Sequence, residues 1–195
     1  MIRYTIIAVL LVLAAFVVQQ FIPAFTGFHQ SRIMLVQLVF LCIAVTVGSP
    51  TMLLLAFISG FLWDAQSYIG SHNGDPDIYT QPVESLRFGY SILLFAGMGY
   101  LMQGIQPLFH QGKWQFSALL SGIAIFLYLA AEYLVISFIR GGLVVNKVLL
   151  MQMAYTALLT MLLSPIIFWI LYRVAALCQH SINPAAAKKN RRRRF

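Results

Sequence analysis

From Met1 to Ala187 the chain runs as long apolar blocks separated by very short polar breaks. A hydrocarbon core of about 30 Å is crossed by about 20 helical residues, and block after block approaches that length. The pattern predicts six spans, at about residues 4–22, 33–47, 50–63, 88–105, 116–139 and 148–172. The first stops at Pro23 and the second opens after Ser31-Arg32. A tight Gly48-Ser49-Pro50 turn leads into the third, with Ser49 placed as N-cap and Pro50 at the first helical position. Spans two and three are short, so each is expected to borrow flanking residues or to lie tilted in a thinned patch of bilayer. The last block stays apolar to Cys178, about 46 Å of helix, too long for one crossing. Ser164-Pro165 is expected to kink it, with the residues after Arg173 continuing in the interface. The fold class is therefore all-α: a polytopic transmembrane bundle of six helices. Residues 65–86 form an extracytoplasmic loop, and residues 181–195 a basic cytoplasmic tail.

Composition closes off a soluble alternative. The chain is 61% hydrophobic and 9% charged, where soluble domains carry roughly 25% charge. The early Arg3 and the first apolar run resemble a secretory signal, but no small-x-small cleavage site precedes Pro23, so this run is kept as a span. Six cations lie between Lys188 and Arg194 (Lys188, Lys189, Arg191, Arg192, Arg193, Arg194), a segment that resists translocation. With six spans both termini are then cytoplasmic. Nine cations fall inside (Arg3, Lys113, Arg173 and the tail) and four outside (Arg32, Arg87, Arg140, Lys147), as the positive-inside rule requires. Trp63, Trp114 and Trp169 fall near span ends, where an interfacial belt places them. The tail is suited to the anionic inner leaflet, each cation contributing about 1 kcal/mol; no nucleic-acid fold stands behind it.

Few polar residues remain to carry chemistry. Glu132 lies inside span five, where an acid costs several kcal/mol unless paired or protonated, so it must face the bundle interior. Arg87 and Arg140 are candidate partners. A structural tie between helices is favoured over a substrate or proton site, because transporters usually show several intramembrane charges and this chain has one. Gln19, Gln20, Gln37, Gln103 and Gln152 either hydrogen-bond between helices or line a small cavity, and packing is the default. Ala56 with Gly60, and Ala118 with Gly122, permit close helix approach. Asp64 is expected at the end of span three, where it opposes the helix dipole; a cap or ion pair with the next span is the alternative to simple solvation. Asp75, Asp77 and His72 match no metal-loop spacing. The four histidines lie in or beside loops, the two cysteines fit packed thiols, and no nucleophile has a matched base, so neither cofactor nor catalytic residue is expected.

Phe21-Ile22-Pro23, the paired helices about Gly48-Ser49-Pro50, Gly60-Phe61-Leu62-Trp63-Asp64 and Arg87-Phe88-Gly89-Tyr90 follow one another in an order that resembles the rod shape-determining protein MreD family. The resemblance covers about residues 19–104. It departs at Ser31-Arg32, where the family tends to have Pro and a polar residue, and in a longer stretch between Asp64 and Gly89. The resemblance implies a non-enzymatic membrane component of the bacterial elongation machinery, in the cytoplasmic membrane. Its partners would be an MreC-like bitopic protein and, in the wider complex, MreB, RodA and a class B penicillin-binding protein. It also implies a bundle resembling the substrate-binding subunits of energy-coupling-factor transporters. That likeness supplies the rival reading, a vitamin-binding subunit, against which the chain has no evident polar cluster. Gly60, Asp64, Arg87, Gly89, Glu132, Pro50 and Pro165 are the structural or interaction candidates.

Overall fold

The computed structural model describes residues 2–23, 31–70, 88–107, 114–140, 142 and 147–178. Among these described residues the helices are α1 (Ile2–Phe21), α2 (Leu35–Ala44), α3 (Ser49–Gly70), α4 (Tyr90–Gly104), α5 (Trp114–Arg140) and α6 (Lys147–Leu177). Their arrangement follows from which of them are apolar on one side and which all round. α2 has Val36 through Ala44 all buried, Gln37 among them, the pattern of a helix with no solvent-facing side. It touches each of the other five helices. Those five close a ring around it in the order α1, α3, α4, α5, α6, with α6 returning to α1.

The ring helices turn apolar side chains outward. Ile6, Leu10 and Val17 on α1, Leu119, Ile123 and Leu127 on α5, and Leu158, Leu162 and Ile166 on α6 are exposed at helical spacing. A contiguous apolar exterior of this extent is matched to lipid, not water. Among the described residues, Arg3–Phe21, Gln115–Ile139 and Lys147–Leu177 combine the length and apolar character of membrane crossings. The protein is an all-helical membrane protein.

Inside the ring, α2 is locked by aromatic edges. Phe40 meets Phe95 at 5.2 Å between ring centroids and 76°, and Phe95 meets Tyr128 at 5.5 Å and 66°, both edge-to-face geometries that aromatic quadrupoles favour. The chain Phe40–Phe95–Tyr128 thus joins α2, α4 and α5. Gly99 and Gly122 set two further approaches. A Cβ on Gly99 would run into Met52 Sδ, and one on Gly122 would stand 2.8 Å from Met161 Sδ.

The helix bounds differ from the sequence expectation most in α2 and α3. α2 spans ten residues, not the expected 33–47, because it occupies the centre of the ring and need not reach either membrane face. α3 continues to Gly70, past the expected end at Trp63, so residues 65–70 are helix instead of loop. α6 runs as one helix through Pro165 to Leu177. At the start of α3, Met52 N–H donates to the Gly48 carbonyl, which makes Ser49 the first helical residue and sets Pro50 second. Pro50 remains in the first turn, where its missing N–H has no intrahelical acceptor to lose. The Ser49 hydroxyl donates to Gln103 Oε1 on α4 at 2.9 Å.

Candidate functional site

Gly60 and Asp64 sit one turn apart on α3 and therefore share a face. That face meets the start of α4. A Cβ on Gly60 would stand 2.5 Å from Ile92 Cα and 2.7 Å from Ile92 N, so only glycine allows the two backbones this close. One turn further, Asp64 Oδ2 accepts the Gly89 N–H at 2.6 Å. Gly89 is the N-cap of α4 with φ 102°, a left-handed conformation that favours glycine. Asp64 is buried, and the positive end of the α4 dipole offsets the cost of burying a carboxylate. Its position does not oppose a dipole as expected, since α3 does not end there. It caps the neighbouring helix.

The second constellation follows from the shortness of α2. Ten residues make about 15 Å of helix, half the thickness of a bilayer core, so the ring is not filled beyond Met34. At that blunt end a cavity of about 580 Å³ opens, with Gln19, Gln20, Arg32, Trp63, Gln66 and Glu132 among its walls. Gln19 Oε1 accepts the Val36 N–H at 2.8 Å, capping α2 from another helix. Gln66 Nε2 donates to Gln20 Oε1 at 2.7 Å, tying α3 to α1. Thr160 on α6 accepts the Met34 N–H at 3.2 Å while its own hydroxyl donates to the Thr156 carbonyl. The starts of α2 and α4 thus each borrow a cap from a neighbouring helix: Gln19 serves α2 and Asp64 serves α4.

Glu132 faces inward, as its depth requires, and lines this cavity. Arg32 lines it too, yet among the described residues neither forms an ion pair with the other or with a third group. One turn deeper along α5, the Tyr128 hydroxyl lies against Ser91 and Gln37. Tyr128 and Gln37 are buried without a hydrogen bond of good geometry. A polar seam therefore runs from the cavity toward Gln37, contributed by α2, α4 and α5.

At the opposite end, the Tyr4 and Thr46 hydroxyls are 2.8 Å apart, joining α1 to the α2–α3 turn. Gln106 Nε2 donates to the Val47 carbonyl at 3.2 Å. Pro50 and Pro165 are both exposed on the bundle surface, away from either constellation. Cys42 is buried and Cys178 half-buried, both free thiols. Arg87, the side chain of Arg140 and the basic tail from Lys188 to Arg194 lie outside the described residues, as do Asp75, Asp77 and His72.

Sequence reasoning missed Gln66, which it assigned to a loop, and Arg32, which it counted only as a topological charge. The sequence shows no evident polar cluster of the kind a vitamin site needs, although Gln19 and Gln20 are among the residues read there as able to line a small cavity. The cluster forms because α1, α3 and α5 converge with the segment before α2 on the blunt end of α2, and no sequence spacing records that convergence. Among the described residues no three or more His, Cys, Asp or Glu gather as a metal site. Comparison with family models, with curated proteins and with solved structures finds no match for the chain.

Proposed function

We propose that the protein is a non-enzymatic scaffold of the bacterial cell-shape and peptidoglycan elongation complex, similar to MreD, and that it binds an MreC-like bitopic partner. The observation that supports this reading is the α3–α4 clamp. Gly60 and Asp64, two of the residues on which the resemblance rests, are engaged with Ile92 and Gly89 and hold two helices in fixed register. A scaffold works by presenting a rigid surface, and a bundle in which Asp64, Gln19, Gln66 and Tyr4 each tie one helix to another is built for that. In this reading the chain lies in the cytoplasmic membrane with both termini inside. Its tail rests on the anionic leaflet, and the wider complex contains MreB, RodA and a class B penicillin-binding protein.

The cavity favours a second reading, the substrate-binding subunit of an energy-coupling-factor type transporter, since about 580 Å³ with several convergent polar groups falls in the range of small-molecule sites. One experiment separates the two: depletion of the protein in its source bacterium, with affinity capture of the tagged chain in mild detergent. Loss of cell-width control and recovery of a bitopic partner are expected. Recovery of an ATPase module with cell shape unchanged would overturn the scaffold reading in favour of the second.

A further inference from the structure

We infer that the cavity at the blunt end of α2 binds a small zwitterionic group, an ammonium joined to a carboxylate or phosphate, with Glu132 receiving the ammonium and Arg32 the anion. This rests on the cavity's geometry and on neither reading of the protein's wider role.

The walls carry one acid and one base that do not pair with each other. Two opposite charges facing one cavity without meeting are complementary to a ligand that carries both charges itself. A purely anionic ligand would meet Glu132, and a purely cationic one would meet Arg32, so each is disfavoured by like-charge repulsion. Arg32 is exposed and Glu132 is further in, which sets the direction: ammonium inward, anion at the mouth. Gln19 and Gln20 are already engaged through their carbonyl oxygens, to Val36 and Gln66. Their amide N–H groups are left to donate toward an anion. A guanidinium is suited to either a carboxylate or a phosphate oxygen pair.

The same chemistry is offered by two sources, an ethanolamine phospholipid headgroup and a free amino acid. The test uses the full chain in two settings. First, protein purified from membranes containing phosphatidylethanolamine and phosphatidylglycerol is examined by native mass spectrometry for retained lipid. Second, protein in nanodiscs of phosphatidylglycerol alone is titrated with alanine or glycerophosphoethanolamine while its melting is followed. Selective retention of phosphatidylethanolamine with no response to alanine supports the lipid source. A saturable melting shift with alanine supports the free solute. In either case Glu132→Gln and Arg32→Gln should each weaken binding roughly tenfold or more, the loss expected for one charge-assisted bond. Glu132→Gln keeps the side-chain shape, and Arg32 is exposed, so if one variant fails to fold the other still decides. Equal retention of both lipids with no shift from either soluble probe overturns the inference. So does wild-type binding by a folded Glu132→Gln or Arg32→Gln protein.

Discussion

Gly60→Ala is the sharpest probe of the α3–α4 clamp. The added Cβ would stand 2.5 Å from Ile92 Cα, a backbone atom that cannot rotate away. An ordinary carbon contact of about 3.7 Å requires a displacement of about 1.2 Å. Carried to the adjacent cap, that shift stretches the 2.6 Å Asp64–Gly89 bond to about 3.8 Å, beyond hydrogen-bond range. Overpacking costs about 1–3 kcal/mol and a lost cap about 1 kcal/mol, so Gly60→Ala should destabilise by about 2–4 kcal/mol. Asp64→Ala, which removes only the cap, should cost about 1–2 kcal/mol. Because the first substitution already breaks what the second removes, the double variant should fall short of the sum by about 1 kcal/mol. Unfolding in mixed micelles of rising dodecyl sulfate fraction, followed by circular dichroism, measures all four proteins. Hydrogen exchange at the Gly89 amide reports the cap directly, and Gly60→Ala should accelerate it. A wild-type unfolding midpoint for Gly60→Ala, or strict additivity in the cycle, would falsify the coupled clamp.

Gln19→Leu should cost about 1–3 kcal/mol in the same assay, since it leaves the Val36 N–H of a buried helix start without an acceptor; unchanged stability would show that the cap is dispensable. Gly122→Ala should cost less than Gly60→Ala, because its nearest obstacle is the movable Met161 sulfur instead of backbone; the reverse order would refute the distinction. For topology, single cysteines at Asn73 and Asn190 should label from opposite sides with an impermeant reagent. Only Cys178 must be removed from the background, as Cys42 is fully buried. Labelling of both from one side would mean an even number of crossings between them and would overturn cytoplasmic termini with residue 73 outside.

The sequence by itself determined the solvent and the helices. A chain with so few charges has no means of covering a soluble surface, and in hydrocarbon each backbone N–H and C=O must be satisfied within its own segment, which selects helices. The inward placement of Glu132 followed from the same cost. Gly60 and Asp64 were legible as a motif whose one-turn spacing puts them on one face, although not as a clamp, because Gly89 and Ile92 reach them only across the helix interface. What the tertiary structure decided is which helix lies at the centre. α2 was readable as a short apolar span. Its burial on every side depends on five other helices closing around it, and hydropathy is the same whether the neighbour is lipid or protein. The cavity inherits that limit. It exists because a ten-residue helix stands inside a ring of longer ones. Gln19, Arg32, Gln66 and Glu132 meet there from four separated stretches of chain, brought together by packing alone.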